Sequence, residues 1–302
     1  MQRYYISALT AFLIWGFMPL ALRTLQTYPL GMVLYFRILV SVLLLILGGF
    51  FVLTKQWQSS YKQFKQSTIS EKRKIIGLTM LSGVLLIVNW VSFMYVVNYV
   101  DTQTGAFAYT LCPILTSILG FLILKEKLAQ HQWFAIGLCV ISCGLMATGT
   151  LANFLMSFFI GLTYAFYLVL QRFLKDYDKI VLLTLQLFMA AICILPFYTF
   201  LKQESHANLI QIGLDLNFFI SIAIIGLFFT VIPLFLNLYA LKALTSGTVG
   251  VFMYLNPLTG MILAFFYFNE VTTNMQLFAY ILIAIAIIVY NLPKKLLSLK
   301  QN

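Results

Sequence analysis

Ten long apolar stretches follow one another along this sequence, and they constrain its fold more than any other feature. They cover roughly residues 5–22, 30–53, 75–97, 102–124, 132–149, 152–171, 180–201, 217–241, 245–268 and 274–292. About 20 apolar residues are enough for one helix to cross the hydrocarbon core of a bilayer. The stretches are too long for the alternating strands of a membrane β-barrel. Backbone groups in lipid must be hydrogen-bonded within their own segment, so we predict an all-α polytopic membrane protein with ten transmembrane helices.

The charged residues indicate how these helices are oriented. Hydrophobic residues make up 62% of the chain and charged residues only 9%, against roughly a half and a quarter in soluble domains. If the N-terminus is cytoplasmic, sixteen of the nineteen Lys and Arg lie in cytoplasmic segments, while Arg23 and Lys202 lie outside and Arg37 lies within a span. Cytoplasmic loops are enriched in positive residues, so we predict that both termini are cytoplasmic. The net charge of +11 is then an orientation signal, and we expect no nucleic-acid partner.

Two parts of the sequence repeat one pattern at an offset of 144 residues. In YTLCPILTSILGFLILKE, Pro113 precedes Glu126 by thirteen residues, and in MYLNPLTGMILAFFYFNE, Pro257 precedes Glu270 by the same distance. This indicates a duplication, with repeats at residues 1–150 and 151–302. Each repeat holds five spans, an odd number, so the second copy is predicted to cross the membrane in the inverted orientation. Inverted five-helix repeats are typical of secondary transporters, which bind substrate near the midplane between the halves.

The prolines and glutamates of this pattern each predict a local feature. Each proline is predicted to break its helix near the bilayer centre, because it lacks an N–H and displaces the carbonyl four residues earlier. Those carbonyls belong to Tyr109 and Met253, and lipid tolerates them only where they face protein or a water-filled cavity. The glutamates end their spans just before the next helices begin, where a helix dipole stabilises a carboxylate. They are predicted either to cap or lock these helix ends or to act as gates or proton-coupling groups.

Several motifs in this order resemble one known family. They are AFLIWGFMPLALR, YPLGMVLYFRIL, NWVSFMYVVNY, FAYTLCPILTSILGFLILKEKL and VFMYLNPLTGMILAFFYFNE. Together they resemble the EamA family of the drug/metabolite transporter superfamily, most closely its RarD-like branch, over residues 5–293. The resemblance implies ten helices in two inverted repeats within the cell membrane, the inner membrane of a bacterium. It also implies export or exchange of amino acids and other small metabolites, with an association with chloramphenicol in the RarD-like branch.

Arg37 is the sharpest candidate for substrate binding. It lies about eight residues into the second span, roughly 12 Å deep, and a charge within a membrane is costly unless it has a function. It could clamp a carboxylate with two hydrogen bonds. It could instead extend to the outer interface or bind carbonyls of a neighbouring helix.

Other amphipathic residues within the spans are further candidates for the substrate site. An asparagine in a span should face protein or water, although hydrogen bonding between helices explains any one of them, and packing explains the aromatic residues. The candidates are Trp15, Asn89, Trp90, Tyr95, Tyr109, Tyr164, Tyr167, Asn237, Tyr239, Tyr254 and Asn256.

The sequence favours a transporter over an enzyme. The four cysteines lie inside spans without metal-ligating neighbours, no nucleotide-binding loop is present, and no catalytic group is found, so we expect no cofactor and no metal. No acidic residue lies in the middle of a span. In the superfamily that the sequence resembles, small cation exporters rely on a glutamate buried in the first span, so the resemblance disfavours exchange of organic cations for protons. We therefore predict a secondary transporter of small metabolites by alternating access, in contact with the lipid bilayer, for which a homodimer is possible but not required. The alternatives are an exporter of hydrophobic drug-like or lipid-like molecules and a non-transporting membrane scaffold or sensor.

Overall fold

The computed structural model describes residues 1–51, 54–100, 102–146, 150–197, 215–267 and 273–292. These residues form α-helices, a 3-10 helix (Leu195–Phe197), a π-helical turn (Leu227–Val231) and short connections, and no strand occurs among them. The first seven helices are α1 (Gln2–Gly16), α2 (Met18–Arg23), α3 (Leu30–Phe51), α4 (Thr54–Gln66), α5 (Ile69–Tyr99), α6 (Thr102–Leu124) and α7 (Gln130–Met146). The other seven are α8 (Leu151–Phe173), α9 (Lys179–Ile194), α10 (Leu216–Gly226), α11 (Ile232–Ala240), α12 (Ser246–Phe252), α13 (Leu255–Phe266) and α14 (Asn274–Tyr290).

Six stretches of these helices are long and apolar enough to cross a membrane. They are Gln2–Arg23, Gly31–Gly48, Ile69–Val97, Thr104–Leu124, Leu151–Phe173 and Leu216–Ala240. Two shorter apolar helices, α9 and α14, accompany them. Large apolar side chains such as Phe134 and Ile288 are exposed on the outside of the bundle, as expected where a helix faces lipid. The prediction of an all-α polytopic membrane protein is confirmed.

Two helices differ from what the hydropathy of the sequence indicates. The third apolar stretch is predicted from residue 75, but α5 already begins at Ile69. Thr68 and Glu71 form a capping box there: the Glu71 carboxylate accepts from the Thr68 N–H at 2.8 Å, and the Thr68 hydroxyl accepts from the Glu71 N–H at 3.3 Å. The cap starts the helix within a charged segment that hydropathy excludes. The preceding connection contains the polar helix α4, which places Trp57, Tyr61 and Phe64 along one face.

The two repeated prolines have different effects on their helices. Near Pro257, the helix is divided: α12 ends at Phe252 and α13 begins at Leu255. The Met253 carbonyl does not stay free, because it accepts the N–H of Asn256 at 3.0 Å. In contrast, α6 continues through Pro113 from Thr102 to Leu124, so the predicted break does not occur there. A proline removes one bond of the helix ladder and commonly bends a helix without ending it when the bonds on either side persist.

The packing of the helices is reciprocal between the two ends of the chain. α5 and α6 both pack against α8, while α11, α12 and α13 pack against α1. α5 also packs against α9, and α10 packs against α3. Three further contacts join α3 to α9, α6 to α12 and α7 to α14. The largest buried cluster lies between these helices, with side chains from α1, α3, α5, α6, α8, α9, α11 and α12.

Glycines permit the closest approaches between these helices. A Cβ atom added at Gly83 of α5 would lie 2.6 Å from the carbonyl oxygen of Gln186 in α9. A Cβ atom added at Gly161 of α8 would lie 2.9 Å from the carbonyl oxygen of Ala108 in α6. Small residues at such crossings are what allow membrane helices to pack backbone against backbone.

Candidate functional site

Arg37 lies at the start of the third turn of α3, against α2 and α5. Its guanidinium carbon is 4.9 Å from the centre of the Trp90 ring, and its Nη1 atom is 3.9 Å from the Met18 sulfur. Its Nε atom is buried and has no hydrogen-bond partner among the described residues. The Ser41 hydroxyl, one turn further along α3, donates to the Arg37 carbonyl at 2.7 Å and also lies 3.3 Å from the Gly226 carbonyl. The bond to Gly226 fixes this part of α3 against the end of α10.

Asn89 joins three helices beside Arg37. Its side chain is fully buried, and its Nδ2 atom donates to the Ile160 carbonyl at 2.8 Å and to the Thr163 hydroxyl at 3.1 Å. The Tyr109 hydroxyl donates to Asn89 Oδ1 at 3.2 Å. Asn89 is thus hydrogen-bonded to both α8 and α6, and this contact accounts for a buried asparagine without any ligand.

Tyr164 of α8 extends this polar group to α11. Its ring meets the Tyr109 ring edge to face at 6.3 Å, and its hydroxyl accepts from Asn237 Nδ2 at 3.2 Å. Asn237 Oδ1 is buried without a hydrogen-bond partner. An unpaired buried acceptor is costly in a protein interior.

Two buried glutamines, Gln171 and Gln186, extend this polar group beyond Tyr167. Neither was among the predicted site residues. The Tyr167 hydroxyl lies 3.3 Å from Gln186 Oε1, and Gln186 Nε2 donates to Gln171 Oε1 at 3.0 Å. Both glutamines are buried, and Gln171 Nε2 has no partner. In the sequence they are 15 residues apart on different helices, and each resembles an ordinary polar residue near a span end, so no local pattern signals that they meet.

Five predicted residues lie apart from this group. Trp15 is half-buried on α1 and donates from Nε1 to the Phe229 carbonyl at 2.9 Å. Tyr95 is exposed and packs on Tyr99. The Tyr239 ring lies 4.9 Å from the Tyr4 ring. Tyr254 belongs to a separate apolar cluster formed with α6, α7 and α14, and Asn256 is half-buried nearby on α13 with its Oδ1 atom unpaired.

Glu126 joins several helix ends at one end of the bundle. It accepts from the Ser246 N–H at 2.9 Å, from the Ser246 hydroxyl at 2.8 Å and from the Gly247 N–H at 3.4 Å, all at the start of α12. It also pairs with Arg172 at the end of α8, with 3.4 Å between Nε and Oε1. Arg172 Nη1 donates to the Leu241 carbonyl at 2.8 Å. These five residues are here termed the Glu126 junction.

The end of α6 places the carboxylate of Glu126 in this junction. Lys125 has a φ of 54°, a left-handed conformation that is costly for residues other than glycine, and the Glu126 N–H bonds to the Gly120 carbonyl at 3.1 Å. Glu126 does not cap α7, the next helix in the chain. At α7, Gln132 accepts from the Ala129 N–H at 2.9 Å. The second predicted glutamate, Glu270, lies outside the described residues.

The described residues contain no cluster suited to a metal ion. No group of three or more His, Cys, Asp or Glu side chains converges among them. The four cysteines have free thiols.

Two ranges of the chain, residues 2–148 and 150–292, match the EamA-like transporter family. Together they cover almost the whole sequence. The chain belongs to this family. It is therefore a membrane transporter of the drug/metabolite type, and the resemblance seen in the sequence is confirmed.

Comparison with individual proteins is consistent with membership of the EamA-like transporter family. The protein RarD of Salmonella typhi is 27% identical over 286 residues, which cover 93% of this chain and 92% of that protein. An uncharacterized transporter, YojE, of Bacillus subtilis (strain 168) is 25% identical over 284 residues, covering 93% and 90%. A protein of known crystal structure superposes with a TM-score of 0.72 over 96% of this chain and 97% of its own, at 14% identity. At that identity the superposition establishes the fold alone.

Proposed function

We propose that this chain is a secondary transporter that exports or exchanges small metabolites, such as amino acids, by alternating access. The Glu126 junction is the observation that carries the proposal. One buried carboxylate there joins the end of α6, in the first matched range, to α8 and α12 in the second. Hydrogen bonds of this kind can hold one end of a bundle closed and can be broken without disturbing the apolar core.

We infer that the helices form ten spans in two inverted repeats, residues 1–150 and 151–302. Joining the interrupted helices gives α1–α2, α3, α5, α6 and α7 in the first repeat, and α8, α9, α10–α11, α12–α13 and α14 in the second. The reciprocal packing supports this division: the third and fourth spans of each repeat pack against the first span of the other. Two copies related by a twofold axis in the membrane plane would produce such reciprocity. The two separate family matches are consistent with it.

We place the Glu126 junction and both termini on the cytoplasmic side of the cell membrane, the inner membrane of a bacterium. Lys125, Lys127, Arg172, Lys175 and Lys242 lie at or next to the helix ends that meet there. Positive residues are enriched on the cytoplasmic side of membrane proteins. Arg37, Trp90 and Tyr109 then lie in the outer half of the bundle, and Glu126 has the role of a cytoplasmic gate.

In this mechanism, the described conformation is closed on the cytoplasmic side. Substrate from the cytoplasm can reach the polar core only when Glu126 separates from Ser246 and Arg172. Closing this end while the other opens would expose the same site to the opposite side of the membrane. A substrate shifts this equilibrium only by binding the two conformations with different affinity.

Counterflow in proteoliposomes tests transport directly. Proteoliposomes that contain the purified protein are loaded, one compound at a time, with unlabelled amino acids or other small metabolites. Uptake of the same compound in labelled form is then followed. Substrate-specific uptake is expected for the wild type. Equilibration of every compound at the rate of protein-free liposomes would contradict the proposal.

Cysteine labelling tests the gate. Thr116 is buried on α6, eight residues before the helix ends at Leu124, so Thr116→Cys in a background without the native cysteines reports access from the junction end. In inside-out vesicles, a membrane-impermeant maleimide is expected to label this cysteine faster in Glu126→Gln than in wild type. Lys65→Gln, on exposed α4, is the matched control and should leave the labelling rate unchanged. Equal rates in all three proteins would show that Glu126 does not gate this end.

A further inference from the structure

The guanidinium of Arg37 has unsatisfied hydrogen-bond donors. Arginine carries five N–H donors, yet the single side-chain hydrogen-bond contact of Arg37 within the described residues is the one to the Met18 sulfur at 3.9 Å. A thioether is a weak acceptor. The Nε atom is buried and unpaired. No backbone carbonyl of the described residues accepts a hydrogen bond from this side chain, so Arg37 does not join neighbouring helices through their backbones.

Arg37 also lacks a negative partner among the residues that the structure describes. The described residues contain five carboxylates, and none forms an ion pair with Arg37. Four of these carboxylates have other partners: Glu71, Asp178 and Asp215 cap helices, and Glu126 belongs to the junction. A positive charge within a membrane protein normally pairs with an acid or with backbone carbonyls. Within the described part of the chain Arg37 does neither, which is the situation of a residue whose partner is a ligand.

The surroundings of Arg37 define the ligand. The Trp90 ring covers the guanidinium at 4.9 Å, which leaves the N–H groups at the edge of the guanidinium for an acceptor. The single positive charge of Arg37 matches one negative charge, and its planar fork of donors matches the two oxygens of a carboxylate. Trp90 and Met18 provide an apolar wall beside that charge.

We propose that Arg37 binds the carboxylate of the transported solute by two hydrogen bonds, while the apolar part of the solute lies against Trp90 and Met18. The substrate class is thus singly charged carboxylates and amino-acid zwitterions with an apolar body. The inference rests on the proposed function, because it assigns the substrate of that transporter. A carboxylate and its neutral amide have almost the same shape, so they isolate the contribution of the charge.

The experiment measures binding and transport separately. Binding is read from the shift in unfolding temperature of the detergent-solubilised protein, and transport is read from counterflow. The probes are phenylacetate with phenylacetamide, straight-chain monocarboxylates with their amides, and the twenty amino acids. The variants are Arg37→Gln, Arg37→Lys as a second variant that keeps the charge, and Lys65→Gln as the control for removal of a positive charge. Size-exclusion profiles identify variants that remain folded.

Carboxylates are expected to bind the wild type, and their amides are expected to bind weakly. In Arg37→Gln, affinity for carboxylates should fall about 10- to 100-fold, the usual effect of losing hydrogen bonds to a charged group. Arg37→Lys should give an intermediate affinity, because a lysine cannot form the two-pronged contact. Amide binding should change little, and Lys65→Gln should behave as wild type.

The outcomes separate this inference from the proposed function. Transport of carboxylates that is equal in wild type and folded Arg37→Gln overturns the inference and leaves the transporter proposal intact. Carboxylate binding that depends on Arg37, without any counterflow, supports the binding site and counts against the transporter proposal. No binding of any carboxylate in the panel overturns the inference.

Discussion

The Arg172 Nε atom lies 3.4 Å from Glu126 Oε1, and this ion pair joins the two family-matched ranges of the chain. The side chains retain only 19% and 7% of their exposure. Water therefore screens the pair poorly, and each charge depends on the other. The same carboxylate bonds to the start of α12, so the ion pair and the helix start form one unit.

Removal of either partner of this ion pair is expected to destabilise the protein. Glu126→Gln keeps an acceptor for the Ser246 N–H but leaves the Arg172 charge unpaired, and Arg172→Gln leaves the carboxylate unpaired. Loss of a hydrogen bond to a charged group typically costs about 1.5–3 kcal/mol. Each single variant should lower the free energy of unfolding by about that amount. The double variant should cost less than the sum of the two, because it leaves no unpaired charge.

Reversible unfolding in mixed detergent micelles measures these free energies. Lys175→Gln removes a charge close to Arg172 in sequence and serves as the control. If the two single effects simply add, the residues are not coupled and the junction is not a single unit.

A glycine at a helix crossing and a glycine elsewhere on the same helix should respond in opposite ways to alanine. At Gly83, a Cβ atom would lie 2.6 Å from the Gln186 carbonyl oxygen and 2.8 Å from the Met189 Cβ atom. Gly83→Ala must therefore push α5 and α9 apart, at a cost of about 1–3 kcal/mol. At Gly77, nothing lies within 4 Å of an added Cβ atom, so Gly77→Ala should be neutral or stabilise α5 by up to about 1 kcal/mol. Thermal unfolding of the two variants provides the comparison, and equal effects would contradict the close crossing.

Loss of the Asn89 side chain should lower the free energy of unfolding more than loss of the Tyr109 hydroxyl. Tyr109→Phe removes one hydroxyl and its 3.2 Å bond to Asn89. Single hydrogen bonds between membrane helices average about 0.6 kcal/mol and reach about 1.7 kcal/mol. Asn89→Leu removes the bonds to both α6 and α8 and leaves the Tyr109 hydroxyl without its acceptor, so we expect about 1–3 kcal/mol.

Unfolding of the two variants in detergent checks this ranking. Tyr61→Phe is the control for loss of a hydroxyl, because Tyr61 is exposed on α4. Should Tyr109→Phe cost more than Asn89→Leu, Asn89 is not the centre of the group.

The sequence predicts the fold because hydropathy depends on local composition. Each apolar stretch with described residues corresponds to one helix or to two consecutive helices, and the family follows from motifs along the whole chain. Positions set by local polar contacts are less predictable: the cap formed by Thr68 and Glu71 begins α5 within a charged segment. Pro113 shows the same limit, since continuation of α6 depends on the helices around it.

The candidate site is less predictable than the fold because its contacts are made across the bundle. Glu126 is predicted to act at a helix end, and it does bond to the start of a helix. Its partners, however, are 46 and 120 residues away in the sequence, and a local rule places it at α7. Asn89, Tyr109, Tyr164 and Asn237 lie together, whereas Tyr95 and Tyr254 lie elsewhere. Residue type alone does not distinguish residues of the polar group from residues that pack elsewhere, because tyrosines occur in both places.

Protonation of Asp215 should weaken the contact between the loop before α3 and the start of α10. The Tyr28 hydroxyl donates to Asp215 Oδ2, and Asp215 Oδ1 accepts the N–H groups of Asn217 and Phe218 at 3.0 and 3.2 Å. The hydrogen bond from Tyr28, followed by those from the backbone, lowers the pKa of Asp215 below its ordinary value of 3.8. A lowered pKa in the folded state means that the folded protein binds this proton less readily than the unfolded chain. The stabilisation is therefore complete above the ordinary value and is lost as the pH falls through the lowered value.

The unfolding temperature measured between pH 7 and pH 3 tests this linkage. Wild type should lose more stability than Tyr28→Phe at the acidic end of this range, because the variant lacks the bond that contributes most to the lowered pKa. Tyr61→Phe, on exposed α4, is the matched control and should follow the wild type. Since Asp215 keeps its backbone hydrogen bonds in Tyr28→Phe, part of the acid sensitivity should remain in that variant. A pH dependence identical to wild type in Tyr28→Phe would mean that the Tyr28 hydroxyl does not stabilise the Asp215 carboxylate.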